Sequence, residues 1–274
     1  MEGRRANTRV ERQMSMDPII VERDGDIATI TLNNPAKRNA LALASWHWLS
    51  EAIEALDQDE TLRCIIIRGA GEKAFVAGAD ISEFPEKRSN AEQAYVYGLA
   101  TDKALGVLLT CRHPIIAMIH GACTGGGLEI AACCDMRIAA DDARFGVPIN
   151  RIGHAFAPAE MKPVLDLVGK AMVLELLLEG RIMDAEEAER RGLVNRVVAK
   201  DKLETEVAET ARRIADGAPL GARMTKRFVH RLTTDPSTVS EAEIRESYAP
   251  CDSADYREGF EAFMAKRPPK FTGS

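Results

Sequence analysis

Apolar positions recur along the chain with two periods, and those periods divide it. Ile19 to Arg23 and Ile27 to Leu32 are rich in β-branched residues and flank Asp24-Gly25-Asp26. Strand-like runs around an Asp/Gly turn predict a β-hairpin. Leu43 to Leu56 carries Leu49, Ile53 and Leu56 at helical spacing, with Ser45 near its start, and predicts an amphipathic helix. Trp46 and Trp48 fall inside it, where packing against a sheet is the expected role. Cys64 to Arg68 reads as a buried strand. Ala91 to Thr110 predicts a second helix, ended by His113-Pro114, because a proline drives its preceding residue out of the helical region. Ile115 to Ile119 is another strand, Met136 to Ala139 and Ala143 to Phe145 are short ones, and Pro158 opens a helical stretch. Beyond Val198 the pattern is almost entirely helical, punctuated at Gly217-Ala218-Pro219 and Asp235-Pro236. Strands and helices alternate early and helices stand alone late, which predicts an α/β fold with a helical C-terminal part. The pattern does not separate a doubly wound sheet from a ββα spiral, and no sequence repeat is evident.

Composition narrows the picture. With 274 residues and 46% hydrophobic content, the chain can build a full core without disulfides. A formal net charge of −6 argues against nucleic-acid binding through overall positive charge, while leaving room for a local basic patch facing an acidic ligand. No apolar stretch is long enough to span a bilayer. Cys64, Cys111, Cys123, Cys133, Cys134 and Cys251 lie mostly in apolar segments and read as reduced thiols of a cytoplasmic protein. His120-x-x-Cys123 and Cys133-Cys134 lack a second half at metal-site spacing, so no metal is expected. Residues 1–17 carry Arg4, Arg5, Arg9 and Arg12 without an apolar h-region. They read as a disordered leader or an upstream start site, with Met14 and Met16 as alternative starts, ahead of an organelle-targeting reading from the Arg content, and not as a secretory signal.

The candidate chemistry sits at two loops. Gly125-Gly126-Gly127-Leu128-Glu129 follows the strand Ile115 to Ile119 and runs into a helix-like segment. Glycine lets the backbone approach a ligand. The unpaired N–H groups at a helix start can hold an anion or a developing oxyanion. Glu129 follows within a turn, and a carboxylate beside such a site can move protons next to a carbonyl. Phe75-Val76-Ala77-Gly78-Ala79-Asp80-Ile81 follows the strand Cys64 to Arg68 in the same manner, so each loop could supply one N–H to a single carbonyl oxygen. Gly69-Ala70-Gly71-Glu72-Lys73-Ala74 fits a dinucleotide fingerprint, yet no helix opens at those glycines, and the fingerprint needs one.

Ala77-Gly78-Ala79-Asp80-Ile81, followed by His120-Gly121-x-x-x-Gly125-Gly126-Gly127-x-Glu129, resembles the crotonase (enoyl-CoA hydratase/isomerase) superfamily. Asn34-Pro35-Ala36-Lys37-Arg38-Asn39-Ala40-Leu41, Cys134-Asp135-Met136-Arg137-Ile138-Ala139, Ala185-Glu186-Glu187-Ala188 through Gly192-Leu193-Val194-Asn195, and the tail Glu258 to Arg267 match in order. The resemblance runs from about Ile19 to Phe271. It implies a ββα spiral over residues 18–200 and a helical region over 201–274 that makes trimer contacts, in a homo-trimer or hexamer. It also implies an acyl-CoA substrate, with CoA entering as part of that substrate and no tightly bound cofactor.

Carried over by position, the oxyanion donors would be the N–H groups of Ala79 and Gly126, with Glu129 as an acid/base. Lys37 and Arg38 would suit the CoA phosphates. Backbone near Ala40, Ala77 and Ile81, beside Asp80, would meet the adenine and pantetheine. Phe263 and Lys266 match a tail that reaches a CoA, often a neighbour's, and Phe84 near the second loop is expected to line the pocket. The second glutamate of family hydratases should follow Phe145-Gly146-Val147-Pro148, where this chain has Ile149, which cannot carry a proton. Asp141 and Asp142 are expected to face solvent. Glu160, about two helical turns downstream, is expected to lie too far away unless the loop shifts. That leaves His154 as the imidazole near the vacancy. The leading reading is enoyl-CoA hydration or its reverse. Isomerisation, decarboxylation or thioester hydrolysis on the same oxyanion site is the alternative. A non-catalytic acyl-CoA-binding or scaffold role is a third reading, favoured by Ile149.

Overall fold

A computed structural model describes residues 17–274; the leader expected over residues 1–17 lies, apart from Asp17, outside the described residues. Strands β1 (Ile19–Asp24) and β2 (Ile27–Leu32) form the expected antiparallel hairpin, with Ile19 opposite Leu32 and Asp24 opposite Ile27. Helix α1 (Leu43–Asp57) follows, and buries Trp46, Leu49 and Ile53 while leaving Glu51 and Glu54 outside. Trp48 departs from expectation. It is 40% exposed, because two residues along a helix is about 200° around it.

The centre of the molecule is a strand–strand–helix unit used repeatedly. β3 (Cys64–Gly69) and β4 (Ala74–Val76) precede α2 (Ala91–Thr110). β5 (Ile115–Ile119) and β6 (Ala122–Thr124) precede α3 (Gly126–Cys133). β7 (Met136–Ala140) and β8 (Arg144–Gly146) precede α4 (Pro158–Leu174). The first strand of each unit joins a six-stranded sheet, and the second joins a four-stranded one. With β9 (Ile182–Asp184) and β10 (Arg196–Val198), the orders are β1-β2-β3-β5-β7-β10 and β4-β6-β8-β9. All central pairings are parallel; the β1–β2 and β8–β9 pairs are antiparallel. Each turn of chain thus adds one strand to both sheets in the same direction, which makes the architecture a ββα spiral. Short α5 (Ala185–Arg190) lies between β9 and β10.

Parallel strands covered on both faces should read as unbroken apolar runs. Ile115 to Ile119 is buried at every position. One face packs against the helices of the spiral. The other, with Ile66, Ile116, Met118 and Ile138, is covered by Leu203, Val207 and Ala211 of α6 (Leu203–Ala215). Then come α7 (Pro219–Thr234), α8 (Glu241–Ser247) and α9 (Ala254–Met264). The final residues fold back: Thr272 and Gly273 N–H both donate to the buried Asp255 carboxylate, at 2.6 and 2.8 Å. Among the described residues no helix is long and apolar enough to cross a membrane.

Candidate active site

Two loops at the ends of β4 and β6 meet. In the first, Leu41 N–H donates to Gly78 O and Asp80 N–H donates to Leu41 O, both at 2.8 Å. Ala79 lies between those bonded groups. Alternate residues of an extended chain present their N–H to opposite edges, so the Ala79 N–H faces away from Leu41. It has no acceptor among the described residues. In the second loop Gly125 takes φ +52° and its N–H donates to Gly146 O at 3.0 Å. Helix α3 begins at the next residue. Gly126 N–H therefore belongs to a first turn, where no intrahelical acceptor exists. A Cβ added to Gly125 would sit 3.4 Å from Gly78 Cα, so the loops touch. Arg137 fixes the other end of α3 by donating to Cys134 O at 2.6 Å and Ala131 O at 3.2 Å.

Ala79 and Gly126 line a cavity of about 150 Å³. Glu129 projects into it from α3 and is 6% exposed. Its carboxylate makes no hydrogen bond among the described residues. Burial, and next the neighbouring Glu160, push its pKa well above the ordinary 4.5, with Arg88 opposing. The opposite contributor is unexpected. Glu160, thought out of reach, lines the same cavity at 8% exposure. A 3-10 turn over Ile149–Ile152 ends in left-handed Gly153, φ +67°, and the reversal returns the start of α4 to the site. Glu160 Oε2 accepts the Ala157 N–H at 2.9 Å. Burial raises its pKa also, against that hydrogen bond and Arg88.

Arg88 completes the wall. Its guanidinium lies 4.7 Å from the Phe84 ring centroid and 4.8 Å from that of Tyr97, and 2.7 Å from His154 Nε2. Burial, then Arg88, lowers the His154 pKa below 6.5. Phe84, Ile149 and His154 thus line the cavity with Ala77 and Ile81. Trp46, Tyr97, Arg88 and Glu160 also line it and are not among the expected site residues. Two residues whose backbone N–H groups have no acceptor among the described residues line one cavity with a buried carboxylate, an arrangement that suits a carbonyl whose oxygen gains charge.

Of the expected CoA residues, Ala77 and Ile81 line the cavity, while Lys37, Arg38, Ala40 and Asp80 lie outside its lining. Arg38 and Asn39 are both left-handed, φ 53° and 57°. Buried Asn39 pins their loop by donating to Ala70 O and Ala74 O at 3.0 and 2.8 Å. Lys37 is not a free solvated cation: its Nζ lies 2.6 Å from Asp80 Oδ2 and 2.9 Å from Ser82 Oγ. Burial opposes ionisation of Asp80, yet these Lys37 and Ser82 bonds hold its carboxyl below the usual range. Arg38 has no ion-pair partner among the described residues. Ala40 N–H closes the turn onto Lys37 O at 3.1 Å. Asp142 is half-buried rather than solvent-facing, 3.0 Å from Lys200 and accepting the Gly121 N–H. Phe263 and Lys266 lie at the exposed end of α9 and do not line the cavity.

The model of the enoyl-CoA hydratase/isomerase family matches residues 22–274. The chain belongs to the enoyl-CoA hydratase/isomerase family. Its relatives in that family include a probable enoyl-CoA hydratase of Mycobacterium tuberculosis, 39% identical over 94% of this chain and 99% of the relative. The short-chain-enoyl-CoA hydratase of Clostridium acetobutylicum is 34% identical over 93% of this chain and 97% of the relative. Among solved structures, an enoyl-CoA hydratase/carnithine racemase of Magnetospirillum magneticum superposes with a TM-score of 0.93 at 52% identity, covering 94% and 97% of the two chains. The spiral and its helical C-terminal region are thus those of the family.

Proposed function

We propose that this protein hydrates 2-enoyl-CoA thioesters to 3-hydroxyacyl-CoA, or catalyses the reverse, with Glu129 as acid/base. One observation carries the reading: in a chain of this family, two acceptor-free N–H groups and a buried, unbonded carboxylate share one cavity. Addition of water at C3 of a conjugated thioester sends charge to the thioester oxygen. The Ala79 and Gly126 N–H groups stabilise that charge, each donor contributing on the order of 3 kcal/mol. Glu129 handles the proton beside it.

Arg38 and the half-exposed Lys37 side chain face the CoA phosphates, while backbone at Ala40, Ala77 and Ile81 meets the adenine and pantetheine. The Lys37–Asp80 pair shapes that loop. Phe263 and Lys266 reach the CoA of an adjacent subunit in a trimer or a hexamer. Support for the assembly comes from exposed Tyr256, Phe260 and Phe263, 56%, 62% and 80% accessible. Five buried free cysteines suit a reducing cytoplasm, and no tightly bound cofactor is required.

The test is loss of the conjugated thioester absorbance of crotonyl-CoA with purified protein. The wild type should turn over, and Glu129→Gln should reduce kcat about 10²-fold or more. Full activity in that variant would reject the mechanism. The apolar Ile149 favours a second reading, in which one carboxylate serves isomerisation, decarboxylation or thioester hydrolysis. Product masses from a panel of acyl-CoA thioesters separate these.

A further inference from the structure

The mechanism above leaves Glu160 without work, and its surroundings are costly ones for a carboxylate. It is 8% exposed on the first turn of α4 and opens onto the same cavity as Glu129. Its Oε2 closes the helix end on the Ala157 N–H, while Oε1 has no partner among the described residues. Residue 157, at the N-cap, is alanine, so the reciprocal half of a capping box is absent and helix capping alone explains only one oxygen. Polar and charged groups from several elements surround the Glu129/Glu160 pair. Glu129 comes from α3, Asp102 and Tyr97 from α2, Arg88 from the segment before α2, and His154 from the loop before α4. Two carboxylates facing one cavity cannot both ionise cheaply, and burial raises the pKa of each, which favours one proton shared by the pair. Arg88 stands by as the cation for the remaining charge.

We propose that Glu160 is the second catalytic carboxylate of this site, supplied from the first turn of α4 in place of the residue that Ile149 makes apolar. The inference rests on the hydration reading. In the forward step the ionised member of the Glu129/Glu160 pair takes a proton from water as the water oxygen bonds to C3. The C2–C3 π electrons become the C1–C2 π bond, and the C1–O π electrons move onto the thioester oxygen, held by the Ala79 and Gly126 N–H groups. The carboxylic acid of the pair then gives its proton to C2 as the enolate collapses. One water is consumed, one C–O and one C–H bond form, and the pair still holds one proton.

Glu160→Gln separates catalysis from capping, because the amide oxygen can still accept the Ala157 N–H. With crotonyl-CoA, Glu160→Gln should keep the wild-type melting temperature and change KM less than about 3-fold, while kcat falls about 10²-fold or more. A bell-shaped pH profile of the wild type should collapse to a single limb, since only Glu129 of the pair remains to titrate. Glu160→Asp, which keeps the carboxylate, should recover part of the rate. Wild-type kcat and an unchanged profile in Glu160→Gln, with Glu129→Gln inactive, would overturn the proposal and leave hydration standing. Exchange of the C2 hydrogens of butyryl-CoA in D₂O reads enolate formation separately. A wild type that neither exchanges nor hydrates would remove the hydration reading and this proposal together.

Discussion

At the scale of single residues, the site depends on what each backbone and side chain can still donate. Ala79→Pro deletes one of the two N–H donors outright. It should lower kcat about 10²-fold while CoA itself still binds by calorimetry, because the Lys37 and Arg38 side chains proposed to face its phosphates are retained. A circular dichroism spectrum matching the wild type excludes misfolding. Ile149 offers a converse experiment. In a Glu160→Gln background, Ile149→Glu places a carboxylate at the position where the family resemblance implies a second glutamate. The new group enters apolar surroundings, so its pKa should rise and it can donate near neutrality. Crotonyl-CoA hydration should recover at least about 10-fold over Glu160→Gln alone.

At the scale of elements, the glycines of α3 are there for contact as much as for binding. A Cβ at Gly127 would lie 2.4 Å from Val76 O, and one at Gly126 would lie 2.9 Å from Trp46 Cζ2. Only bare backbone lets the helix start rest on β4 and keeps the N–H of Gly126 at the cavity. Gly127→Ala forces backbone apart and should cost about 1–3 kcal/mol, read as a drop in urea midpoint with unchanged slope. The dinucleotide-like glycines have the same kind of explanation. A Cβ at Gly69 would meet Phe75 O at 2.3 Å, so that glycine serves the crossing from one sheet to the other. No helix opens there; β4 follows.

At the scale of the molecule, stability and assembly carry the measurable consequences. His113 is fully buried with neither ring nitrogen hydrogen-bonded among the described residues. Burial, then Arg223, depresses its pKa from 6.5 to about 4. Above pH 6.5 it is neutral folded and unfolded alike. Below 6.5 the unfolded chain takes a proton that the folded one refuses, so its contribution to stability is lost progressively down to about pH 4. The ceiling on that loss is about 3 kcal/mol. Glu129 and Glu160 act with the opposite sign, since their raised pKa values favour the folded state as pH falls from neutrality. The difference between wild type and His113→Leu isolates the histidine: chemical denaturation at pH 7 and pH 4.5 should show a smaller acid loss in the variant. For assembly, light scattering at micromolar concentration should give three or six times the 30.0 kDa chain mass. A monomer would reject the subunit-spanning CoA site.

By itself the sequence determined the elements whose signal is local. The β1–β2 hairpin, α1, α2 and the strands at Cys64 and Ile115 follow from periodicity and turn residues. The two glycine loops and Glu129 follow from short motifs in which neighbours in sequence are neighbours in space. Three-residue strands such as β4, β6, β9 and β10 carry no period to read, and were decided by the edges that adjacent strands offered them. Tertiary structure alone decided that Lys37 is held by Asp80, 43 positions away. It also decided that Glu160 shares a cavity with Glu129. Counting residues along a straight path separates Ile149 from Glu160. The 3-10 turn and left-handed Gly153 between them reverse the chain, and a reversal makes sequence distance a poor measure of distance in space.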